Sequence, residues 1–497
     1  MQCNMFFDLM AELISEAKRI KPGEVSDSLT KSFQDALAEQ VNQIIISVFG
    51  KLYPSYDKFP VTSENKDAIL QQCWDLKNYY LYRAMICFLD GVTSVDKLSA
   101  AYAYNSFENI ENHTEVFIAL NSNYDTTGVR IMMRVNGIRV DKSSVTGRTY
   151  PQYDHDADYW MDDINSHLEN TYYEDQQLFD GIEVDNILVI PNDKNREKNT
   201  FDIAFAPITN EKIDELLSYN DDIIREDGDG HPIRYFGNIS VQEPDKIKDT
   251  FIDALKSASK YSVDLLTSVE MLGTKELCED DKRINSLYSE LYFDGYNMPE
   301  LIVPPSYWHE RRNSLSVFSS NGYLLGAQDK ATRYKYHGKN GACDEDLDLK
   351  SKKIRMWHVP GVGRIVFMIC SDFLVAEYRR FVASVLKATL IICPAFSAGT
   401  REFDLAINSL KEYGTTCVWL NCCSAIATHP DPPDYIGLVS TPIVREDGDT
   451  VRIKPRCRNS CRNGCCFLIR IPKNAIGHTL TEDLQVTVEH CIERCEE

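Results

Sequence analysis

The chain has 497 residues, 43% of them hydrophobic, with 16 cysteines and a formal charge of −22. That length accommodates about two or three domains with sizeable cores, and a field of that sign repels nucleic acid and anionic membrane unless a basic patch overrides it, for which the arginines of "RIKPRCRNSCRN" are too few. No apolar run is long enough to cross a bilayer, and the opening "MQCNMFFDLMAELISEAKRIK" lacks the head, apolar core and cleavage site of a signal peptide, so a cytoplasmic protein with reduced thiols is expected.

The first hundred residues read as helical. Phe6, Leu9, Met10, Leu13 and Ala17 recur at helical spacing, "KPGE" breaks the run, and Phe33, Leu37, Val41, Ile44, Ile45 and Val48 resume it. A third helix is predicted over Ala68 to Leu89. "EVFIAL", "GVRIMMRV" and "IRV" then read as strands, with Asn136-Gly137 as a hairpin turn. Residues 141 to 200 are polar and end in "PNDKNREKNT", which reads as a linker. His155 among Asp154, Asp156 and Asp158 could bind a hard cation, but with no second ligand cluster a solvated acidic loop is the better reading.

Beyond residue 200 short apolar strands dominate: "FDIAFAP", "SVDLLTSVE", "LIVPPS", "SLSVFSS", "RIVFMIC", "TLIICP", "TCVWLN" and "CCFLIRIP". Several alternate with helical segments such as "IKDTFIDALKSASK" and "DLAINSLKEYG", the signature of a layered α/β or α+β domain. Residues 201–207, 365–369 and 390–393 are expected in one sheet. No glycine-rich loop follows a strand in the pattern that cradles phosphates, so ATP and nicotinamide chemistry are disfavoured.

"GRIVFMICSDFLVAEYRR" places Cys370 between an apolar strand and a helix that starts at Asp372 and carries Leu374, Tyr378, Phe381 and Val385 on its buried face. A strand-to-helix turn lifts a side chain clear of the sheet and beside free helix N–H groups, where a thiolate is favoured. The alternative is a cysteine packed as a small hydrophobe.

Residues 200 to about 475 resemble the nitrilase, or carbon–nitrogen hydrolase, superfamily. The resemblance rests on an ordered series: "FDIAFAPIT", "VDLLTSVEMLGT", "NSLSVFSSNGYLLGAQDKATRY", "GRIVFMICSDF", "ATLIICPAFSAGTREFDLAINSLKEYGTTCVWLN" and "IGLVSTPIVREDGDTVRIK". It implies an α-β-β-α sandwich, and a Glu-Lys-Cys triad at Glu270, Lys330 and Cys370. In that family chemistry Glu270 is the general base, Lys330 and the backbone N–H of Ser371 hold the oxyanion, and Cys370 forms a thioester with an amide or nitrile carbon. The implied second glutamate falls weakly on Glu345, the only glutamate between the lysine and the cysteine. Val269 stands where the family usually has proline, the lysine lacks the common His-Leu sequel, and an acidic insertion, "YNDDIIREDGDGHPIRYFGNIS", precedes Glu270.

Cys457, Cys461, Cys465 and Cys466, with Cys491 and Cys495, could supply a structural zinc, although the spacing is not that of a finger and "CCFLIRIP" also reads as a strand. Cys422 and Cys423 read as packing. The expected organisation is a helical region over 1–110, a small β and irregular region with linker over 111–200, the nitrilase-like domain over 201–475 and a tail over 476–497. Two functions follow: a hydrolase of small amides or nitriles without a cofactor, or a nitrilase-like binding or regulatory module of a larger assembly or defence system, its N-terminal region providing the activity. The resemblance and the apolar "LVAEYRRFVASVL" also imply a homo-oligomer.

Overall fold

The computed structural model describes residues 2–20, 31–76, 78–93, 124–134, 164–168, 170–179, 181–189, 198–209, 211–226, 231–278, 281–338, 341–349, 352–410, 413–427, 434–442, 450–455, 465–476 and 486–491, in two units, Met1–Asp180 and Gly181–Glu497.

In the first unit, α1 (Gln2–Ala17) is apolar around most of its circumference, and Phe6, Phe7, Leu9, Met10, Leu13 and Ile14 are all buried. A helix of that kind belongs at the centre of a bundle, and α1 packs against α3 (Ser63–Leu76) and α4 (Tyr79–Gly91), while α2 (Lys31–Phe49) packs on α3 and α4. The helix predicted over 68–89 is therefore two: the Asn78 side chain accepts the Tyr80 N–H at 3.0 Å and starts α4 afresh. At the far end of α4, buried Asp90 accepts the Thr171 N–H (2.8 Å) and hydroxyl (2.7 Å). This ties the bundle to β2 (Thr171–Asp175), which pairs antiparallel with β1 (Val129–Met133). The strand "GVRIMMRV" thus finds its partner beyond the expected hairpin. "EVFIAL", Asn136, Gly137, His155 and its aspartates lie outside the described residues.

The second unit holds two large sheets. The first runs β11 (Leu324–Asp329), β10 (Arg312–Ser319), β8 (Leu301–Val303), β7 (Leu265–Thr267), β4 (Thr200–Phe205), β20 (Cys466–Pro472) and β21 (Thr487–Cys491), with β9 (Tyr307–His309) on β10. The second runs β19 (Thr450–Ile453), β18 (Gly437–Ser440), β17 (Thr416–Asn421), β16 (Leu390–Ala395), β15 (Gly363–Phe367), β14 (Lys353–Val359) and β3 (Glu183–Leu188). The trios β4–β7–β8 and β15–β16–β17 are parallel, and their strands read as continuous apolar runs because both faces are covered. Outside, α5 (Pro244–Ser259) lies on β20, and α6 (Asp281–Phe293) sets Tyr288 edge-on to Phe318. Helix α9 (Arg401–Asn408) stacks Phe403 on Trp419 of β17 at 4.9 Å. Inside, Gln328 of β11 bridges to β14, donating to the Lys353 carbonyl and accepting the Arg355 N–H, each at 2.8 Å. The result is the expected α-β-β-α layering.

Several expectations change in detail. Residues 201–205 belong to the first sheet, while 365–367 and 390–393 belong to the second. The central strands of both sheets are equally apolar, so hydrophobicity does not say which sheet a strand joins. The sandwich also starts before residue 201, because β3 pairs in parallel with β14. It ends after residue 475, because β21 pairs with β20. The acidic insertion is a hairpin of β5 (Leu217–Glu226) and β6 (Pro232–Val241), extended into a four-stranded sheet by β13 (Gly341–Glu345) and β12 (Lys335–Gly338). The helix after Cys370 is interrupted: α7 (Ser371–Leu374) and α8 (Ala376–Arg380) meet at extended Val375, and a π turn, Phe381–Val385, follows. That break rotates the buried face onto Phe373, Val382, Ala383 and Leu386, leaving Leu374, Tyr378, Phe381 and Val385 only half-buried.

Candidate active site

Parallel strands present side chains and free backbone groups beyond their carboxyl ends, where open α/β sheets bind ligands. Glu270 follows β7, Lys330 follows β11 and Cys370 follows β15, so the two sheets deliver the three residues to one edge of the sandwich. Glu345, the last residue of β13, comes from the small sheet.

The four form one buried constellation. The Lys330 ammonium lies between two carboxylates, 2.6 Å from Glu270 Oε1 and 2.6 Å from Glu345 Oε2, and all three side chains are almost wholly buried. Asn313 Nδ2 donates to Glu270 Oε1 at 3.0 Å and to Glu345 Oε1 at 3.3 Å, and its Oδ1 accepts the Ser306 hydroxyl at 2.6 Å. The other Glu270 oxygen, Oε2, accepts the Phe396 N–H at 3.1 Å, just past β16. Desolvating three charges costs several kcal/mol each, which only contacts this short, with the remaining lone pairs satisfied, can offset.

Electrostatics assign the resting protonation. Burial, then Glu270, pushes the Cys370 thiol well above its ordinary range, and Lys330 only partly opposes them. Cys370 therefore rests as a thiol beside a carboxylate. This corrects the expectation of a thiolate favoured by the turn: burial, leaving the residue 2% exposed, outweighs four residues of helix. Burial would lower Lys330, but Glu270 and Glu345 carry it well above the lysine range, so it stays an ammonium. Burial raises Glu345 against the pull of Lys330.

The Cys370 backbone is itself unusual, with φ 46° and ψ −103°. A non-glycine residue there costs about 1–3 kcal/mol and persists only where its surroundings over-determine it. Here they do. The Cys370 N–H donates to the Pro394 carbonyl at 2.9 Å, and its carbonyl accepts the Phe373 N–H at 3.0 Å. Asp372 accepts the Ala331 N–H at 3.0 Å and the Thr332 hydroxyl at 2.8 Å, tying the cysteine turn to the two residues after Lys330. Burial raises Asp372 to about 7, against Lys330 and these hydrogen bonds. Ser371 opens α7, a position whose N–H has no intrahelical acceptor. The Tyr334 ring stands 6.0 Å from Lys330 Nζ and forms a partly open wall.

The geometry thus gathers Glu270, Lys330, Cys370 and Ser371 and makes Glu345 a full member. Sequence reading quoted the stretches that hold Asn313, Tyr334, Asp372 and Phe396 but gave none of the four a role in the site. Elsewhere, Cys465 Sγ sits 3.1 Å from His490 Nε2, while Cys457 and Cys461 fall outside the described residues. No group of three His, Cys, Asp or Glu side chains among the described residues could hold a metal. No helix among them is long and apolar enough to cross a membrane.

No family model matches the chain, and no curated protein matches it. Solved structures similar to it include an amidase from Nesterenkonia sp., at 15% identity over 56% of this chain and 93% of that one, with a TM-score of 0.35. Another is a glutamate-to-glutamine mutant of the amidase from Nesterenkonia sp. AN1, with the acetamide moiety of fluoroacetamide added covalently to its active-site cysteine (14% identity, 56% and 93% covered, TM-score 0.35). A third is the C. elegans NitFhit protein, at 14% identity over 56% of this chain and 62% of that one, with a TM-score of 0.37.

Proposed function

We propose that this protein is a thiol-dependent hydrolase of non-peptide carbon–nitrogen bonds, acting on small amides or nitriles through Glu270, Lys330 and Cys370. One observation carries the reading: a buried ammonium held between two carboxylates beside a strained cysteine whose thiol rests protonated. A thiol in that state needs a base only at the moment of attack. Glu270 takes the proton as Sγ bonds to the carbonyl carbon, and the oxyanion forms against Lys330 and the Ser371 N–H. Glu270 returns the proton to the departing amine or ammonia as the C–N bond breaks, leaving a thioester on Cys370. Water then attacks the thioester, Glu270 takes its proton, and the carboxylic acid leaves with the thiol restored. Glu345 holds the far side of the Lys330 ammonium, so the cation keeps its place while Glu270 exchanges its proton.

Assay of ammonia release from a panel of short amides and nitriles tests this. Wild type should turn over at least one class, and Cys370→Ala and Glu270→Gln should each lose about 10³-fold or more, as residues acting as a unit do. A wild type inert on every amide and nitrile, or a fully active Cys370→Ala, contradicts the reading. We also infer a homo-oligomer, because Val375 is exposed and Leu374, Tyr378, Phe381 and Val385 are half-buried along one surface segment. A monomeric mass by light scattering at micromolar concentration would refute that inference.

A further inference from the structure

Glu270, Lys330 and Cys370 are each fixed by a strand of a large sheet, whereas Glu345 is not. It ends β13, whose partners are β12 and, over only two positions in parallel, β6: Asp344 faces Tyr235 and Glu345 faces Phe236. The next residue, Asp346, is 2% exposed and sits under the insertion hairpin. Its N–H donates to the Phe236 carbonyl at 2.8 Å. Arg225 of β5 donates to it in a fork, Nε to Oδ1 at 3.0 Å and Nη2 to Oδ2 at 2.7 Å, and Arg311 Nε adds a bond to Oδ1 at 3.0 Å. The β6 backbone lies directly on this aspartate, since a Cβ on Gly237 would come within 3.0 Å of Asp346 Cβ and 3.2 Å of Ile223 Cδ1.

We propose that the β5–β6 hairpin positions Glu345, with Arg225 a positioning residue that acts through Asp346 to keep Glu345 on Lys330. The inference rests on the hydrolase reading for the use of Glu345, but the clamp can be tested without a known substrate. A planar guanidinium bonded at two points fixes the orientation of its carboxylate as well as its distance, and Asp346 is adjacent in sequence to Glu345. Arg225 is itself nearly half exposed, so the bundle of contacts it anchors runs from the surface to the buried ammonium. A displacement of about 1 Å at a positioning group can cost about 10²-fold in rate.

The charged and titratable groups around Cys370 are Glu270 beyond β7, Lys330 beyond β11, Glu345 of β13, Tyr334, Cys393 of β16 and Asp372 of its own turn. If Glu345 swings away, Lys330 acts on the thiol less neutralised, and the thiolate forms at lower pH. Iodoacetamide, itself a small amide, reports this. Sulfur bonds to its methylene carbon, iodide leaves with the electron pair, and the thiol proton passes to base. Intact mass and peptide mapping give the pH midpoint of labelling at Cys370 for wild type, Arg225→Gln, Arg225→Lys and Gly237→Ala.

Arg225→Gln and Gly237→Ala should lower the midpoint by roughly half to one pH unit. On any amide that wild type hydrolyses they should cut kcat about tenfold, with KM nearly unchanged. Arg225→Lys, which keeps the charge but not the fork, should fall between them and wild type. Gly237→Ala serves as the second variant because it perturbs the contact without removing a charge, and circular dichroism verifies that each variant is folded. A midpoint at the wild-type value in both folded variants overturns the clamp, whatever the amide assays give. A shifted midpoint in a protein inert on every amide and nitrile leaves the clamp standing and removes the hydrolase reading.

Discussion

One strand leads into two buried charge clusters that differ in kind. Asp264 precedes β7 and Glu270 follows it. At the Asp264 end, Asp202 and Asp264 share Lys198 at 3.8 and 3.7 Å, and Asp264 Oδ2 accepts the Asp202 N–H at 2.7 Å. At the Glu270 end, Glu270 and Glu345 share Lys330 at 2.6 Å. Each has two carboxylates around a lysine, and at the Asp264 end a second lysine, Lys473, also acts on the carboxylate. What differs is completeness: Lys198 is 23% exposed, Lys330 1%, and the second cluster alone adjoins a strained cysteine. Buried charge by itself therefore does not mark an active site. The proposed site is set apart by a cation at contact distance, a hydrogen bond on each carboxylate oxygen, and a neighbouring group that can form a covalent bond.

Substitutions can sharpen or break that contrast. The largest effect on turnover is expected for Cys370→Ala, at least about 10³-fold, because the covalent route is lost, while the melting temperature shifts by no more than a few degrees. Full activity in that variant would dissolve the distinction between the clusters. Next, Lys330→Met should abolish turnover and, by leaving two carboxylates buried without their cation, cost about 3–5 kcal/mol in a denaturant titration. Lys198→Met, at a longer and wetter ion pair, should cost under about 1 kcal/mol. Equal losses for the two lysines would show that completeness is not the difference.

Glu345→Gln keeps an acceptor for Lys330 but removes a charge, and should lower kcat by about 10 to 10²-fold with Lys330 still in place. Asp264→Asn should change turnover less than about twofold, yet it should alter the pH dependence of stability. Burial raises Asp264 to about 6, so its protonated form is favoured in the fold. The resulting stabilisation is complete below the ordinary aspartate range near pH 4 and is lost as pH rises through about 6, a change of about 3 kcal/mol. Thermal melts of the asparagine variant from pH 4 to 7 should lack that decline, and a decline matching wild type would show that Asp264 titrates normally.

Of this contrast, the Glu270 end was largely legible in the sequence and the Asp264 end was not. The apolar runs of β4, β7, β15, β16 and β17 are unbroken because both faces are covered, and Glu270, Lys330 and Cys370 each follow such a strand or its hairpin. Three other features had no sequence signal of that kind. Which sheet a strand joins depends on pairing between distant segments, and β4 and β15 look alike as strings. Glu345 enters the site from β13, a strand that pairs with an insertion more than a hundred residues earlier in the chain. The helix after Cys370 changes its buried face at Val375, where an extended residue resets the phase of a pattern that continues without a break in the sequence.

The central claim is that Cys370 forms a bond to substrate carbon, and one measurement addresses it directly. Wild type and Glu270→Gln are mixed with short amides and nitriles, quenched in acid within seconds and mapped by peptide mass. The account predicts an acyl adduct on the Cys370 peptide of wild type, released by hydroxylamine as a thioester is, with no adduct on the other cysteines and strongly reduced acylation in Glu270→Gln. Substrate consumed with the Cys370 peptide unmodified, or with the adduct on another cysteine, would contradict it.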